Sequence, residues 1–492
     1  MSSIDEIRDT RIKKLELLKK RGVDPYPALS KREITLKEAI ENFDNFKDAK
    51  WIAGRVMSVR GQGAIVFITL NDGTGFFQGL LKKDVLGDDK FNFFAEVVDI
   101  GDFIEVFGTF FTTKRGEKTI EVKDWNMLSK SLLPLPEKWH GLQDVEERFR
   151  KRYLEILTEK EVFDRFVLRT KIIKEIRKFF DDLGFLEIET PILKNNAGGA
   201  MAEPFLTHHN DLNIDMKLRI SLEIEHKMLM AGGFPAVYEI GKNFRNEGSD
   251  PTHIQEFTMM EWYSAYHTLE ENIAWTENLL KHLAKNIIGK SNFVVYDKNG
   301  NGVEVNFDTV WLRIKFGDLL FKYTGIDMAK ISLTDLQKEA LKQGIEKDEL
   351  VKTGRANLLD FVFKHAVRPN LIDPVFVIDY PGDLKPLANQ NDDGTAKVAQ
   401  LIIGGAEITN QYSELIDPIK QRELLEAQAK AKSAGDKEAM EFDEEFITAL
   451  EYGVPPMTGF GMGIDRLLAI FFEQKNLRET IFFPIMRPKK EE

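Results

Sequence analysis

The spacing of apolar and polar residues changes several times along the chain and divides it into elements. Between residues 4 and 20, isoleucines and leucines recur every three or four positions among charged residues, which predicts an amphipathic helix. Over 51–128, short apolar runs are separated by glycine-containing turns, as is typical of a small all-β barrel. A broad apolar stripe over 162–180 predicts a second helix, and the run 184–193 predicts a strand closed by Pro191.

The segment 237–263 has the pattern of a β-hairpin. An apolar run ends at Phe244, a turn rich in Asn, Gly, Asp and Pro follows, and a second apolar run starts at Glu256. Arg245 and Glu247 stand at the end of the first strand. Alternation along the second strand places four side chains on one of its faces: Phe257, Met259, Glu261 and Tyr263.

These side chains suit a ligand that carries a phosphate, a flat ring and an amine. Arginine binds phosphate through a planar fork of donors, aromatic side chains stack on rings, and carboxylates attract cations. His253, in the turn, adds an imidazole to the set. An amphipathic hairpin with a solvated, charged turn would show the same pattern, so the residues alone leave both interpretations open.

Residues 265–400 are less informative and are predicted to be a helical insertion. An amphipathic helix follows the hairpin, and a second hairpin is expected to turn on 299–302. A short helix with Thr334 as its N-cap is expected to stop at Gly344. Residues 355–367 are predicted to be helical as well.

Two stretches near the C-terminus combine a strand pattern with functional side chains. Residues 398–418 begin as an apolar strand and then become polar, with Glu407, Asn410, Tyr412 and Glu414. Two carboxylates there would suit a divalent cation and a substrate ammonium, although a strand edge with solvated polar residues would look the same. Residues 457–472 hold three alternating glycines, then Asp465 and Arg466, then an apolar helix, but they lack the βαβ context of a dinucleotide loop. Residues 420–445 are predicted to be a solvated helix.

Composition limits the class of protein. The chain has 492 residues, no cysteine and a net charge of −12, so two or more domains are expected and cysteine-bound metals are excluded. A cytoplasmic protein is expected, because no apolar run is as long as a membrane span and the charged N-terminus has no apolar signal core. The acidic charge argues against a general nucleic-acid binder. Residues 1–35 hold nine basic and six acidic residues, which form either a solvated helix face or an arm that contacts RNA phosphates.

Several of these segments together resemble the class II aminoacyl-tRNA synthetases, in the form found in bacterial lysyl-tRNA synthetases. The letters FRNEG and EF within 244–257 resemble motif 2 of that family, and GFGMGIDR at 459–466 resembles motif 3. The helix and strand at about 170–193 resemble motif 1, and 198–227 resembles the stretch before motif 2. At 67–78, the order F-x-T-L-x-D-x-x-G-x-x-Q is similar to the anticodon-binding OB-fold of the lysine, aspartate and asparagine enzymes.

The resemblance implies an α+β protein whose catalytic domain is built on an antiparallel sheet. In chain order it implies a basic helix and lead-in at 1–50, an all-β OB-fold anticodon-binding barrel at 51–130, a linker at 131–155 and a class II catalytic domain at 156–490. The catalytic domain would contain motif 1 at about 170–193, motif 2 at about 237–263, the helical insertion at about 265–400 and motif 3 at about 457–472.

The reaction implied by the resemblance has two steps and uses ATP, L-lysine and tRNA(Lys). The lysine carboxylate would attack the α-phosphate of ATP, and the lysyl group would then pass to the terminal ribose of the tRNA. Arg245 and Arg466 are implied as catalytic residues, because this chemistry depends on positioning and charge stabilisation. The implied ATP-binding residues are Arg245, Glu247, His253, Phe257, Glu407 and Arg466.

Substrate and partner sites are implied in the same way. The implied lysine-binding residues are Gly199, Glu223, Glu261, Tyr263, Asn410, Tyr412 and Glu414. A buried ammonium needs such carboxylates, whereas an aspartate side chain would need a cation. Phe67, Gln78 and Glu117 would face the anticodon, although a phenylalanine in a strand is most often a core residue. A homodimer through motif 1 is also implied, and two-fold dimers are the commonest oligomers.

Magnesium is implied as the cofactor, with Glu407 as its ligand. The sequence departs from the family pattern at three places. Thr252 stands where bacterial members have an arginine, and Ile254 and Gln255 replace Asn-Pro. Gln400 occupies the position of a second metal-binding glutamate and could contribute only an uncharged carbonyl. Weaker or fewer magnesium sites are therefore expected.

Two other functions would fit parts of this pattern. A paralogue that lysylates a protein would resemble the catalytic domain but lack the N-terminal barrel, so residues 51–128 argue against it. The other is a non-catalytic RNA-binding or regulatory protein on the same fold. The presence of Arg245, Glu247 and Arg466 argues against that function.

Overall fold

The computed structural model of the chain describes residues 3–136, 144–248, 250–297, 300–346, 350, 353–433 and 440–489. These residues form two compact units, which divide between Asp144 and Val145. None of the helices in the described ranges is long and apolar enough to cross a membrane.

Five strands of the first unit close into a barrel: β1 (Lys50–Gln62), β2 (Ile65–Asn71), β3 (Phe76–Lys82), β4 (Phe103–Thr112) and β5 (Lys118–Ser129). They pair in the order β1-β2-β3-β5-β4, and only β3 and β5 run parallel. Val66, Ile68 and Leu70 alternate along β2 and are buried in the barrel core, while the residues between them are only partly buried. The predicted barrel is confirmed.

Four helices accompany the barrel: α1 (Ile4–Lys20), α2 (Leu36–Glu41), α3 (Lys83–Leu86) and α4 (Asp88–Val97). Ser3 and Glu6 form a capping box at the start of α1, which confirms the predicted N-terminal helix. Not all of its basic residues are free for RNA. The guanidinium of Arg11 is buried and donates to the carbonyl oxygens of Ile100 and Leu133 at 3.0 and 2.8 Å.

The second unit begins with three helices: α5 (Val145–Arg150), α6 (Arg152–Thr158) and α7 (Lys160–Asp182). The predicted linker at 131–155 includes residues 137–143, which lie outside the described residues, but 145–155 are helical and belong to this unit. The ion pairs of Arg152 show why residues 145–155 belong to the second unit. Its buried guanidinium pairs with Glu155 and, at 3.3 Å, with Glu479 near the other end of the chain, and such a charge is stable in the interior only when paired.

The remaining strands of this unit are β6 (Leu186–Glu187), β7 (Leu193–Lys194), β8 (Leu206–His209), β9 (Ile214–Leu218), β10 (Ala236–Phe244), β11 (Glu256–Ala265), β12 (Asn292–Tyr296), β13 (Gly302–Asn306), β14 (Leu312–Lys315), β15 (Val375–Pro381), β16 (Thr395–Ile403), β17 (Ala406–Ser413) and β18 (Met457–Gly463). Eight of them form the central sheet, in the order β14-β15-β16-β17-β18-β11-β10-β6. The pairs at the two edges are parallel, and the pairs between them are antiparallel. The predicted antiparallel catalytic sheet is therefore confirmed.

The predicted hairpin at 237–263 is formed by β10 and β11. The two strands are antiparallel, and their register runs from Ala236 opposite Ser264 to Phe244 opposite Glu256. Strand β18 pairs with the other edge of β11, which places motif 2 and motif 3 side by side.

The single strand predicted over 184–193 is wrong. The structure has only the two-residue strands β6 and β7 in this segment, and the chain between them leaves the sheet. At Thr190, the backbone N–H and the hydroxyl donate to the carboxylate of Glu239 at 3.1 and 2.7 Å, so they are not available for a strand ladder. Pro191 has no N–H to donate and ends the pairing.

The region 265–400 is not a purely helical insertion, because it also supplies β14, β15 and most of β16 to the central sheet. Its helices are α9 (Leu269–His282), α10 (Phe316–Thr324), α11 (Leu333–Lys342) and α12 (Arg355–Val362), and α8 (Glu223–Ala231) precedes them. The N-cap of α11 is Ser332, whose hydroxyl accepts from the N–H of Asp335 at 3.1 Å, so Thr334 was the wrong residue. Strands β12 and β13 confirm the second hairpin, whereas Asn299 in its turn lies outside the described residues.

Three helices complete the unit: α13 (Pro418–Ser433), α14 (Glu444–Glu451) and α15 (Ile464–Phe471). Of the helix predicted over 420–445, residues 434–439 lie outside the described residues.

The core lies on one face of the central sheet, where α7, α9 and α15 contribute apolar residues. Trp262 of β11 stacks on Phe460 of β18 there, and Phe180 of α7 packs against the same indole at a centroid distance of 4.5 Å. Because side chains alternate along a strand, Glu261 and Tyr263 must point to the opposite face. That opposite face carries the candidate site.

Candidate active site

A cleft of about 300 Å³ opens on the face of the central sheet that points away from the helical core. Strands β11, β17 and β18 contribute side chains to it, and the segments 199–201 and 384–387 border it. It brings together most of the predicted nucleotide and lysine residues: Gly199, Glu223, Arg245, Glu247, His253, Phe257, Glu261, Tyr263, Glu407, Asn410, Tyr412 and Arg466. Glu414 and Gln400 do not line the cleft.

Arg245 extends from the end of β10 over the floor of the cleft. Its backbone N–H donates to the carbonyl of Gln255 at 2.8 Å, which continues the hairpin beyond the last strand residue. The guanidinium carbon lies 5.2 Å from the ring centroid of Phe257, and two of its nitrogens make long contacts of 3.4 Å with the carbonyl of Ile220. Burial lowers the pKa of Arg245, and its weakly engaged donors suit an anionic ligand.

The hairpin turn is held together by Asp250. Its carboxylate accepts from the hydroxyl of Thr252 at 2.7 Å and lies 2.9 Å from Nδ1 of His253. The side-chain amide of Gln255 donates to the carbonyl of Glu247 at 3.2 Å. Thr252 and Gln255, which depart from the family pattern, therefore stabilise this turn, and Glu247 and His253 of the turn line the cleft.

Glu261 is a buried carboxylate at the centre of β11. It accepts from the hydroxyl of Ser221 at 2.8 Å and from the backbone N–H of Leu222 at 2.9 Å. Burial, together with the charge of Glu223, raises the pKa of Glu261 to about 7. A cation that entered the cleft would favour the ionised form.

Glu414 is not one of the residues that line the cleft, and its predicted contact with lysine stays a prediction. Its carboxylate lies 2.5 Å from the ammonium of Lys227, and both side chains are completely buried. The same ammonium donates to Glu223 at 2.6 Å. Burial lowers the pKa of Lys227, but the two carboxylates more than offset this effect and the net shift is upward, so Lys227 keeps its charge.

Asn410 and Tyr412 alternate along β17 and share the cleft face. The amide of Asn410 donates to the hydroxyl of Tyr412. Each lies opposite a glycine of β18, at Gly461 and Gly459. A Cβ at Gly459 would lie against the carboxylate of Glu414 and 2.5 Å from the ring of Tyr263, so the packed carboxylate requires glycine at this position.

A cationic region surrounds Glu407. The guanidinium of Arg466 donates to the backbone carbonyl of Glu407 at 3.2 Å, and Lys385 lines the same part of the cleft. Burial raises the pKa of the Glu407 carboxyl. The charges of Lys385, Arg368 and Arg466 lower this pKa by more than burial raises it, so the net shift is downward. Glu407 is therefore an ionised carboxylate among cations.

Asp465 borders the cleft and positions Arg466. Its carboxylate accepts from the backbone N–H of Thr258 at 2.7 Å and from the guanidinium of Arg169 at 2.7 Å. These bonds join the start of α15 to β11 and α7, so the next residue projects into the cleft.

Gln400 is buried in β16 on the face that carries the apolar cluster of Val398 and Ile402. It lies opposite Asn410 in the ladder, so its side chain projects from the same face of the sheet, but it is not one of the residues that line the cleft. No group of three or more His, Cys, Asp or Glu side chains that could hold a metal occurs among the described residues. Glu407 thus offers one carboxylate for a cation, and position 400 carries an uncharged amide.

Comparison with known protein families matches residues 144–487 to the family described as tRNA synthetases class II (D, K and N). Residues 50–128 match the family described as an OB-fold nucleic acid binding domain. The chain belongs to the class II tRNA synthetases. The match covers the whole central sheet and the cleft on it, so the resemblance seen in the sequence motifs is confirmed.

Curated relatives are similar to this synthetase over 92–99% of its length. The chain is 42% identical to the lysine–tRNA ligase of Carboxydothermus hydrogenoformans over 99% of each chain. It is 44% identical to the lysine–tRNA ligase of Aquifex aeolicus over 92% of this chain and 76% of that protein. The lysine–tRNA ligase of Thermoanaerobacter pseudethanolicus is 42% identical over 99% of this chain and 97% of its own length.

The synthetase carries its predicted anticodon residues on the barrel unit. Phe67 of β2 is partly exposed on the outer face, so it is not a core residue. Gln78 of β3 is also partly exposed, and its side-chain amide donates to the hydroxyl of Thr119 at 2.9 Å. Glu117 is exposed immediately before β5.

The sequence motifs did not identify three side chains that shape the synthetase cleft. Ser221 holds Glu261, Lys227 joins Glu223 to Glu414, and Lys385 lies beside Glu407. Lys227 is four residues after Glu223 on α8, and this spacing is a signal for a helical ion pair. Nothing in the local pattern distinguishes Lys385 from a solvated lysine.

Proposed function

We propose that this synthetase is a lysine–tRNA ligase. In the first step, an oxygen of the lysine carboxylate attacks the α-phosphorus of ATP, the bond to the β-phosphate breaks, and pyrophosphate leaves. In the second step, a ribose hydroxyl at the 3′ end of tRNA(Lys) attacks the lysyl carbonyl, and AMP leaves. One observation carries the proposal: a single cleft contains both the buried carboxylates Glu223 and Glu261 and the guanidinium groups of Arg245 and Arg466.

The cationic part of the cleft suits the nucleotide. Arg245 would hold the α-phosphate and the charge that develops on it, since its donors have only long protein contacts. Adenine would stack on Phe257, and Glu247 would accept from its amino group. Arg466 and His253 would bind the outer phosphates.

The acidic part of the cleft suits lysine, which carries two ammonium groups. Glu223 and Glu261 would each pair with one of them, and Tyr263, Asn410 and Tyr412 would supply further polar contacts. Glu414 would act indirectly, by holding Lys227 against Glu223. At Gly199, where φ is +84°, a Cβ would come within 3.0 Å of Glu223 and Ser221, so glycine lets the backbone lie against the lysine site.

Magnesium is proposed as the cofactor on the phosphates. Glu407 fits this role, because its carboxylate lines the cleft and is ionised. When bound, the ion would neutralise charge on the phosphate oxygens. Arg245 and Arg466 would orient the same phosphates with their own donors.

The barrel unit is proposed to bind the anticodon of tRNA(Lys). Phe67 would stack on a base, Gln78 would bind a base edge, and Glu117 would contact the same loop. We also propose that the protein acts in the cytoplasm as a homodimer through motif 1. Exposed apolar side chains at Leu186 and Leu193 support this dimer.

The deciding experiment is amino-acid-dependent ATP–pyrophosphate exchange by the full chain, followed by charging of tRNA(Lys). Exchange with lysine, and not with aspartate or asparagine, is expected, because Glu223 and Glu261 would pair with a side-chain ammonium, which neither aspartate nor asparagine carries. Exchange with aspartate or asparagine would overturn the assignment of the lysine site. Folded protein that shows no exchange with any amino acid would overturn the proposed activity.

A further inference from the structure

Lys385 is a cation in the cleft that the proposed roles do not use. It follows β15 and a short helical turn at 382–384, and it lines the cleft beside Glu407. Its ammonium lies 5.2 Å from the ring centroid of Tyr380 and 5.9 Å from that of Tyr412. Within the described part of the chain, this ammonium forms neither a hydrogen bond nor an ion pair.

The side chain of Lys385 is only partly exposed, so its ammonium is partly withdrawn from water. Removing a charge from water without a hydrogen-bonded partner is unfavourable, and two aromatic faces offset only part of that cost. Burial lowers the pKa of Lys385, whereas the carboxylates of Glu407 and Asp360 oppose this shift. An anionic ligand in the cleft would supply the missing partner.

Lys364 differs from Lys385 because the protein itself supplies a partner for its ammonium. Lys364 donates to Asp360 in an ion pair of 2.7 Å, and half of its side chain is exposed. It does not line the cleft. Lys364 is therefore satisfied by the protein, and it provides a matched control for Lys385.

The surroundings of Glu407 do not suit two divalent ions. The position at which the family resemblance implied a second metal ligand carries the amide of Gln400, which lies on the same face of the sheet as Asn410 but brings no charge. The charges of Lys385 and Arg368 act on the remaining carboxylate, Glu407. A further divalent ion there would meet repulsion from these cations and would gain no second carboxylate.

We propose that the ammonium of Lys385 binds the ATP phosphates in the place of a second divalent ion. This inference rests on the proposed use of ATP in the cleft. This proposal connects two observations: position 400 has no carboxylate to hold a second metal ion, and the ammonium at position 385 would supply a positive charge in its place. A fixed ammonium brings one positive charge and directional donors, and it needs no metal.

The first test counts metal ions and requires no turnover. The full chain is saturated with a nonhydrolysable ATP analogue and titrated with Mn²⁺, and free Mn²⁺ is measured by electron paramagnetic resonance. The double variant Lys385→Ser/Gln400→Glu is expected to bind about one more Mn²⁺ per cleft than the wild type. Equal numbers of bound Mn²⁺ ions in the two proteins would overturn the proposal that Lys385 replaces a divalent ion.

The second test measures binding of the ATP analogue by calorimetry. Lys385→Met is expected to weaken it about tenfold, Lys385→Arg should keep most of the affinity, and Lys364→Met should leave it unchanged. Thermal unfolding of each variant verifies that it is folded. An unchanged dissociation constant in folded Lys385→Met would overturn the role of Lys385. Because this assay contains no amino acid or tRNA, wild-type protein that binds the analogue but shows no lysine-dependent exchange would refute the proposed function alone.

Discussion

The ammonium of Lys227 lies 2.5 Å from the carboxylate of Glu414, and neither side chain has any exposed surface. The same ammonium donates to Glu223 at 2.6 Å, and Glu223 lines the cleft. A lysine of the protein thus holds two of the three predicted lysine-binding carboxylates. The acidic pocket is partly neutralised before any substrate enters, and this arrangement stabilises a cluster of like charges that would otherwise repel one another.

Replacement of Lys227 by methionine should destabilise the second unit. The substitution leaves two buried carboxylates without their cation, and breaking a buried ion pair from one side costs about 3–5 kcal/mol. Urea unfolding at pH 7.5 measures the loss. Lys178→Met is the matched control, because Lys178 also pairs with an acid four residues away on a helix, at Asp182, but both groups are solvent-exposed and little change is expected. Equal stability of wild type and Lys227→Met would show that the buried pair makes no net contribution.

The affinity for lysine should fall as the pH is lowered from 8 to 6. Glu261 is anionic above its pKa of about 7 and neutral below it, and only the anion attracts an ammonium group. One unit below the pKa, only about a tenth of the carboxylate is ionised, so KM for lysine in pyrophosphate exchange should rise by up to about tenfold. Glu261→Gln should show a high KM that changes much less with pH. A wild-type KM that is constant over this range would contradict the role of Glu261.

Replacement of Arg245 should affect turnover more than lysine binding. Arg245 is assigned to the α-phosphate, and removal of one donor to developing charge typically costs about 10²–10³-fold in kcat. Arg245→Lys should recover little, since a lysine lacks the planar fork. Pyrophosphate exchange and lysine calorimetry measure the two effects separately. Lys242→Met is the control, because Lys242 is on the same strand but pairs with Glu256 outside the cleft, and it should retain wild-type exchange.

Replacement of Phe67 by alanine should separate the two reaction steps. Stacking of a base on an aromatic side chain contributes about 1–3 kcal/mol, so KM for tRNA(Lys) in charging should rise about tenfold or more. Pyrophosphate exchange, which needs no tRNA, should stay at the wild-type level. Val85→Ala, at an exposed position of α3 in the same unit, serves as the control. Parallel loss of exchange and charging would indicate a folding defect, and unchanged charging would refute the anticodon contact.

The sequence by itself determined the elements whose signals are local. Helix α1 has its capping box and its apolar spacing within seventeen residues, and the motif 2 hairpin has its turn residues between two alternating strands. The alternation along β11 also assigned Glu261 and Tyr263 to one face, because the period of a strand is two. The family resemblance then related the motifs to one reaction, and side chains from motifs 2 and 3 line one cleft.

Only the tertiary structure decided where several of these side chains point. Strand β14 is four residues long and forms part of the sheet because it pairs in parallel with β15, about sixty residues later in the chain. Thr190 leaves its strand because Glu239 accepts its donors. Glu414 pairs with Lys227, while the Lys385 ammonium lines the cleft with no ion pair to any described residue. Such outcomes depend on which charges and donors become buried together, and burial is set by contacts between residues far apart in sequence.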